Sequence, residues 1–406
     1  MVEMADKKEE GKNIIDKDDA DKSDIERNVI DRDIAGSGAD RSGAERDSAI
    51  NSDIDRSGIE SYGIRRVDLH IHSTISDGTD TPEEIIGKII EAGIDLFSLT
   101  DHDSIKGAVM VRELLDGMDK QPGEDGQLES DRQPVVDGQL LTDGQSVAHG
   151  QSVAHVQSVA GGQAVAEEQP RAGRPRKLPV FVSGVELSCR DDDGKYHILG
   201  YGYDPSDRQI RTLVDKVHGF RMQKAKDRLD YLDLKYGIRF HDEDADAYLS
   251  MDNPGKPQLG NLITHYGYAP DRKTAIEQFI NKMGIRSQFV HPEEAIGTIL
   301  SSGGIPILAH PSLGSGSEYI TGDDMEHRLC HLMDMGLMGV EAYYSRFTPH
   351  LQSEMLYFAK KYGLYVTAGS DYHGLNKPVK LGDNHLEDVG AGAPGLMAFI
   401  SRILSS

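Results

Sequence analysis

The side chains best suited to chemistry in this chain are histidines and acids that stand at the ends of short apolar segments. They are His70, His72, Asp77, His102, Glu186, His197, His310, Asp371 and His373. Imidazole and carboxylate ligands without a thiolate suit Mn²⁺, Zn²⁺ or Fe²⁺. Nine such groups are too many for one tetrahedral ion, so they predict a site with two or three divalent ions.

Four of these groups lie within residues 67–103. An apolar segment with period-2 alternation ends in His70-Ile71-His72, and both imidazoles should point the same way because strand side chains alternate faces. Asp77 follows in a Ser-Asp-Gly turn. A helical pattern over residues 81–92 leads into a second apolar strand, after which His102 follows. Ligands at the exits of successive strands are typical of a metal site on the C-terminal face of a β/α barrel.

The remaining groups follow the same rule further along the chain. Glu186 ends a β-rich strand, His197 lies at the start of the next strand, and His310, Asp371 and His373 follow two later strands. Predicted strands cover residues 67–72, 96–100, 179–187, 196–201, 305–309, 339–342 and 364–368. Several are linked through helical patterns. This alternation predicts an α/β fold, a distorted seven-stranded, largely parallel TIM-like barrel.

The other segments predict a barrel with additions. Residues 1–64 are charged and small, and residues 119–177 carry a Gln-Ser-Val-Ala repeat; we expect both to be disordered. His149 and His155 belong to that repeat and are interpreted as bystanders. The charged helical patterns of residues 206–290 predict an inserted helical subdomain. The barrel itself is assigned to residues 65–118, 178–205 and 291–406.

Bulk composition narrows the functional classes. A net charge of −24 over 406 residues argues against non-specific binding to nucleic acid or anionic membranes, including duplex nucleic acid. It allows a small nucleotide substrate, because metal ions supply a positive field locally. Cys189 and Cys330 give no disulfide framework, and no apolar run of about 18 residues or signal peptide is evident. We expect a cytoplasmic protein; its oligomeric state stays open.

Clustered divalent ions suit the hydrolysis of phosphate esters. They lower the pKa of a bound water, which gives a metal-bound hydroxide as nucleophile, and they hold the phosphoryl oxygens against charge build-up. A nearby acid or bound water would protonate the leaving group. We therefore assign no protein nucleophile.

The ordered motifs DLHIHSTISDG, LTDHD, GVELS, YHILGY, AHP and GSDYHG resemble those of the PHP (polymerase and histidinol phosphatase) superfamily of metal-dependent phosphoesterases. The resemblance covers about residues 65–115, 178–205 and 290–380. Within the superfamily the chain looks most like the branch that hydrolyses the 3′-phosphate of nucleoside 3′,5′-bisphosphates and trims short RNA from its 5′ end. An inserted helical subdomain, here residues 206–290, is characteristic of that branch.

The resemblance implies a trinuclear site, with Mn²⁺ favoured and Zn²⁺ or Fe²⁺ also compatible. By that analogy His70, His72, Glu186 and Asp371 hold one ion. Glu186 bridges to a second ion, shared with His197 and His310, while Asp77, His102 and His373 hold the third. For Asp101 and Asp103, which flank His102, a supporting or capping role is favoured over ligation.

One element departs from the family pattern. Relatives present an Arg-Pro-His element that contacts substrate phosphate, whereas this chain has Gly255-Lys256-Pro257-Gln258. Lys256 offers a point charge but loses the bidentate fork of Arg. Arg346, after the sixth strand, is a second candidate phosphate contact. The departure affects the choice of substrate and leaves the chemistry intact.

Three alternatives stay open at this stage. The substrate could be another small metabolite, such as histidinol phosphate, or phosphotyrosine, because the motifs choose weakly among substrates. An amidohydrolase also opens its barrel with His-x-His, but it needs a Lys or His after the fourth strand, and this chain has a Glu after the third. A non-catalytic PHP-type binding module is the third alternative, and the complete ligand set argues against it.

Overall fold

The computed structural model describes residues 63–119, 178–313 and 319–405. The predicted N-terminal extension, residues 1–64, and the predicted insert, residues 119–177 with His149 and His155, lie outside these ranges except at their edges. The domain boundaries inferred from the sequence stay predictions. Among the described residues no helix has both the length and the apolar character needed to cross a bilayer.

Seven strands form one sheet in sequence order from β1 to β7. They are β1 (Val67–Asp68), β2 (Leu96–Leu99), β3 (Val180–Arg190), β4 (Lys195–Tyr201), β5 (Ile305–Leu308), β6 (Gly339–Tyr344) and β7 (Tyr365–Gly369). β4 runs antiparallel to both β3 and β5, and the other neighbours are parallel. The predicted seven-stranded, largely parallel architecture is confirmed.

The sheet closes on itself between its first and last strands. The Leu69 N–H donates to the Ala368 carbonyl at 2.9 Å. Two residues further along, Ile71 pairs with Tyr372 in a parallel bridge. Regular pairing of β1 is limited to two residues, shorter than the predicted strand of residues 67–72. Beyond Asp68 the chain is held by isolated bonds to the β7 side, which leaves its side chains free to face the barrel end.

Ten α-helices are described around the sheet and in the segment between β4 and β5. They are α1 (Pro82–Ala92), α2 (Lys106–Asp119), α3 (Arg208–Tyr236), α4 (Asp242–Leu249), α5 (Lys256–His265), α6 (Arg272–Ala275), α7 (Pro292–Ser301), α8 (Gly322–Asp334), α9 (Pro349–Tyr362) and α10 (Pro394–Leu404). Thr81 and Glu84 form a capping box at the start of α1, which fixes the helix directly after the loop of Asp77.

The barrel core is apolar, and several of its strands are buried along their whole length. All four residues of β5 and all six residues of β6 are buried, as expected for strands covered on both faces. Ile85, Ile86 and Ile89 of α1 pack their apolar stripe against this sheet with no exposed area. Burying such side chains stabilises the fold by roughly 1.5–3 kcal/mol each.

The helices between β4 and α7 carry a second apolar cluster, which includes Leu232, Tyr248, Leu259 and Ile263. The charged helical patterns predicted for residues 206–290 correspond to several separate helices, and Gly237 ends the first of them, α3, in the left-handed region with φ 65°. A five-residue π-helical turn, Ile276–Ile280, follows α6 directly.

This helical segment is fastened to the end of the barrel that bears the candidate ligands. The Asn253 side-chain amide donates to the Ser76 carbonyl at 2.9 Å, Lys106 pairs with Asp252, and Arg221 of α3 pairs with Asp103. The loop before α5 therefore lies beside the loop that carries Asp77.

Candidate metal centre

The structure brings all nine predicted ligands together at one end of the barrel, and Glu186 lies at their centre. Its Oε1 is 2.8 Å from His197 Nδ1 and 3.1 Å from His310 Nε2. Its Oε2 is 3.1 Å from the Nε2 atoms of His70 and His72, and 3.2 Å from His102 Nδ1. The two oxygens thus face different sets of imidazoles, as expected of a bridging carboxylate.

The antiparallel direction of β4 explains how His197 reaches this end. His197 lies near the start of its strand, whereas Glu186 and His310 lie toward or after the ends of theirs. Because β4 runs opposite to β3 and β5, its start lies at the same barrel end. The His197 carbonyl accepts the Ala309 N–H at 3.0 Å, one residue before His310.

Asp77 and Asp371 complete the set. Asp77 Oδ1 lies 3.2 Å from His373 Nε2, and its Oδ2 lies 3.9 Å from His102 Nε2. Asp371 Oδ1 lies 3.3 Å from His72 Nε2 and 3.6 Å from His70 Nε2. Three groups have ligand atoms close enough to share one ion: His72, Asp77, His102 and His373; His70, His72 and Asp371; and His102, Glu186 and His197.

The donor set fits divalent metal ions. Ring nitrogens point at one another, with His70 Nε2 3.1 Å from His72 Nε2 and His197 Nδ1 3.3 Å from His310 Nε2. The atoms His102 Nδ1 and His373 Nε2 are buried, and each lies 3.2 Å from a carboxylate oxygen, that of Glu186 and that of Asp77 respectively. Lone pairs that converge in a buried space without protons between them are suited to ligating a shared cation.

A buried acid that the sequence interpretation did not assign supports the first histidine. Glu341, in the middle of β6, has no exposed area. Its Oε1 lies 3.0 Å from His70 Nδ1, and its Oε2 accepts the backbone N–H of His310 at 2.8 Å. This contact holds the proton of His70 on Nδ1 and turns Nε2 toward the centre. The sequence signal for this buried acid is its position between Val340 and Ala342 in an apolar strand.

A family model for the PHP domain matches residues 68–122, which carry the first four ligands. The chain is also 24% identical over 316 residues to a 3′,5′-nucleoside bisphosphate phosphatase of Chromobacterium violaceum, covering 76% of this chain and 87% of that protein. Residues 68–122 thus match a PHP domain. The motif resemblance found in the sequence is thereby confirmed.

Two further relatives carry different names. A phosphoribosyl 1,2-cyclic phosphate 1,2-diphosphodiesterase of Eggerthella lenta is 24% identical over 317 residues, covering 76% of this chain and 94% of the relative. A 5′-3′ exoribonuclease of Haemophilus influenzae is 23% identical over 325 residues, covering 79% and 94%.

Solved structures share the fold of this chain. A Bifidobacterium adolescentis protein described as a metal-dependent phosphoesterase superposes with a TM-score of 0.56 at 20% identity, covering 84% of this chain and 95% of that chain. A Chromobacterium violaceum protein described as an amidohydrolase superposes with a TM-score of 0.52 at 22% identity, covering 78% and 90%. At these identities the likeness concerns the fold alone.

The loops after β7 and β5 are strained where they present their ligands. Asp371 has φ 58°, and His310 after β5 has φ 27°, although neither is glycine. Such conformations cost of order 1–3 kcal/mol each and persist where the surroundings hold them. The His373 Nδ1 lies 2.8 Å from the Asp371 carbonyl and donates to it, so Nε2 faces Asp77.

Asp68 ties this loop to β1. Its carboxylate accepts the Ser370 N–H at 2.9 Å, the Ser370 hydroxyl at 2.6 Å and the Gly382 N–H at 2.7 Å. Complete burial nevertheless raises the pKa of Asp68 to about 6. The two strands that close the barrel are thus joined by a polar contact directly beneath His70 and Asp371.

Asp101 and Asp103 serve the loops around His102. Asp101 accepts the Ser73 N–H at 2.7 Å, the Ser73 hydroxyl at 2.8 Å and the Ser76 hydroxyl at 2.7 Å, and burial raises its pKa. Asp103 accepts the Ser188 N–H at 2.7 Å and pairs with Arg221. Both carboxylates bind protein donors, as a supporting role requires.

The electrostatics of the cluster divide its histidines into two kinds. Burial opposes charge on His70, but Glu341, Glu186 and Asp371 outweigh it and raise its pKa well above the ordinary value. Burial likewise opposes charge on His72, yet hydrogen bonds to Asp371 and Glu186 raise its pKa to about 9.

Two other histidines of the cluster behave in the opposite way. Burial lowers the pKa of His102 well below its ordinary value, and burial followed by the charge of His72 lowers that of His373. A lowered pKa favours the neutral, ligating form of these two rings, whereas metal binding at His70 and His72 would compete with protonation of their rings.

The two candidate phosphate contacts lie in different settings. Lys256 is the first residue of α5 and is half-buried, directly after the loop whose Asn253 binds the Ser76 carbonyl. Arg346 is exposed, two residues beyond β6, and its charge acts on the Tyr344 hydroxyl. Both residues stay candidate phosphate contacts.

Proposed function

We propose that this protein is a metal-dependent phosphatase that removes the 3′-phosphate of nucleoside 3′,5′-bisphosphates, and that it also acts on the 5′ ends of short RNA. The observation that carries the proposal is the convergence of six imidazoles and three carboxylates around Glu186 at the end of a PHP barrel. The named activities of relatives that span most of the chain support the substrate class.

The ligand assignment is part of this proposal. Three ions are assigned: one to His70, His72, Glu186 and Asp371; one to Glu186, His197 and His310; and one to Asp77, His102 and His373. The two-sided contacts of Glu186 support its bridging role. Bound divalent ions supply a water of lowered pKa and a positive field for the phosphoryl oxygens.

The protein's own contribution is to orient these ligands before substrate arrives. Glu341 fixes the ring of His70, and the Asp371 carbonyl fixes that of His373. Asp101 holds the Ser73–Ser76 turn that precedes Asp77. A ligand set held in this way does not reorganise when charge develops on the phosphoryl group, and this lowers the barrier.

The test is phosphate release by the full-length protein loaded with Mn²⁺, after metal analysis. Adenosine 3′,5′-bisphosphate is compared with 3′-AMP, 5′-AMP, histidinol phosphate, phosphotyrosine and a short 5′-phosphorylated RNA. We expect the bisphosphate to give 5′-AMP and phosphate. The Asp371→Asn variant should lose this activity, whereas Asp323→Asn, an exposed change on α8, should keep it. A metal-loaded protein that releases phosphate from none of these substrates would refute the proposal.

A second candidate is hydrolysis of a cyclic phosphate diester. The relative named as a phosphoribosyl 1,2-cyclic phosphate 1,2-diphosphodiesterase is as similar to the chain, at 24%, as the bisphosphate phosphatase. Phosphoribosyl 1,2-cyclic phosphate therefore belongs in the same panel. Opening of its ring at a higher kcat/KM than that for adenosine 3′,5′-bisphosphate would favour this candidate.

A further inference from the structure

Lys377 reaches from the barrel mouth down to a buried ligand of the candidate metal centre. Its Nζ lies 2.6 Å from Asp371 Oδ2. The Lys377 side chain is 33% exposed, whereas that of Asp371 is 5% exposed. The ammonium group therefore lies between the buried carboxylate of Asp371 and solvent.

The two oxygens of Asp371 have separate partners. Oδ1 faces the Nε2 atoms of His70 and His72, where it can ligate an ion. Oδ2 accepts the Tyr344 hydroxyl at 2.8 Å in addition to Lys377. Lys377 thus contacts the oxygen of Asp371 that faces away from the histidine ligands.

The loop that carries Lys377 is fastened at its start. The Leu375 N–H donates to the Thr79 hydroxyl at 2.9 Å, and the Asn376 side-chain amide donates to the Asp77 carbonyl at 2.7 Å. Both contacts are to the loop of another ligand, Asp77. A cation on a fixed loop is oriented in advance, which makes its contact with a developing negative charge effective.

We propose that Lys377 contacts a non-bridging oxygen of the phosphoryl group that this site transfers. The ammonium group has three N–H donors, so it can keep its bond to Asp371 while it donates to substrate. Its positive charge offsets negative charge on the phosphate. This role deepens the proposed phosphatase function and rests on it. Lys377, on the loop after β7, thus adds a second positive charge to that of Lys256, which lacks the bidentate hydrogen bonding of an Arg guanidinium.

The experiment compares Lys377→Met, Lys377→Gln and Lys377→Arg with Lys380→Met, an exposed lysine three residues further along the same loop. Three quantities are measured on the Mn²⁺-loaded protein: kcat/KM for adenosine 3′,5′-bisphosphate, the affinity for inorganic phosphate, and the affinity for Mn²⁺. Loss of one donor to a developing oxyanion commonly lowers the rate by about 100-fold.

We expect Lys377→Met and Lys377→Gln to lower kcat/KM about 100-fold and phosphate affinity about tenfold, with Mn²⁺ affinity within about threefold of wild type. Lys377→Arg should restore at least tenfold of the lost kcat/KM, and Lys380→Met should match wild type. The Gln variant serves if the Met variant does not fold.

Two results would overturn the inference. One is unchanged kcat/KM and phosphate affinity in both neutral variants. The other is a loss of Mn²⁺ affinity that accounts for the whole loss of activity, because Lys377 would then act only on Asp371. If the wild-type protein hydrolyses no phosphate ester, the proposed function fails, and the phosphate-binding measurement alone still decides whether Lys377 contacts phosphate.

Discussion

Replacement of Glu341 by Gln tests whether an acid outside the ligand set controls the metal centre. Each oxygen of Glu341 faces a donor: His70 Nδ1 at 3.0 Å and the His310 N–H at 2.8 Å. An amide has one oxygen and one NH₂ group, so its nitrogen must face one of these donors. One buried bond is lost, and its donor is left without an acceptor.

The magnitude follows from this geometry. A buried donor left unsatisfied costs about 1–3 kcal/mol, and bonds to a charged acceptor lie toward the upper end of that range. Loss of the contact that orients a ligating imidazole typically lowers metal affinity about 10- to 100-fold. We therefore expect Glu341→Gln to weaken Mn²⁺ binding by one to two orders of magnitude. The cost of about 1–3 kcal/mol for the unsatisfied donor corresponds to roughly the same loss of affinity.

The assay is a calorimetric Mn²⁺ titration of chelator-treated protein, with metal content checked before and after. The matched control is Glu354→Gln on α9, since Glu354 accepts a single backbone N–H, that of Gly322, at 2.7 Å. Its amide oxygen can keep that bond, so Mn²⁺ affinity should stay at the wild-type value. A Glu341→Gln protein that binds Mn²⁺ within twofold of wild type would show that His70 does not depend on this carboxylate.

Two further changes test the surroundings of the site. A Cβ at Gly369 would collide with the Cβ of the first ligand histidine on the β1 side, so Gly369→Ala should lower the free energy of unfolding by about 1–3 kcal/mol in urea titrations. Gly297→Ala, in α7 where nothing lies within 4 Å, should instead raise it by up to about 1 kcal/mol; destabilisation of similar size in both would contradict the packing argument. Outside the site, the pKa of Asp191 lies below the ordinary value of about 3.9. Burial alone would raise this pKa, but the hydrogen bonds that Asp191 accepts from His331 and from backbone donors outweigh burial. Asp191→Asn should therefore lower thermal stability above about pH 4, and the difference should shrink as the pH falls through the lowered pKa. Asp192→Asn, at an exposed neighbouring position, is the control, and a difference that persists undiminished at about pH 2 would refute the linkage.

The fold was predictable because its signals are periodic. Parallel strands covered on both faces are short apolar runs, and all seven such runs in the sequence correspond to strands. The extent of β1 was wrong by four residues, because bonds to β7 rather than regular pairing hold residues 69–72. The π-helical turn Ile276–Ile280 has no periodic signature that separates it from an α-helix, so the sequence could not indicate it.

The residues around the ligands follow a different logic from the ligands themselves. A ligand at a strand end is found by counting along the strand, and each of the nine residues lies close to at least one other member of the set. Glu341 lies in mid-strand, and its partner His70 is 271 positions away, so only the closed barrel brings them together. Lys377 lies in an irregular loop with no period at all.

This division bears on how substrate is chosen. The ligands stand on strand ends, which the barrel fixes, whereas the candidate cations stand on loops and on the inserted helices: Lys377 after β7, Arg346 after β6 and Lys256 at the start of α5. Loops tolerate sequence change more readily than packed strands do. A bisphosphate phosphatase and a cyclic phosphodiesterase are equally similar to this chain, so overall identity does not distinguish their substrates. Exchange of loop cations should consequently alter KM and substrate preference, whereas changes to Glu341 should alter metal affinity for every substrate alike.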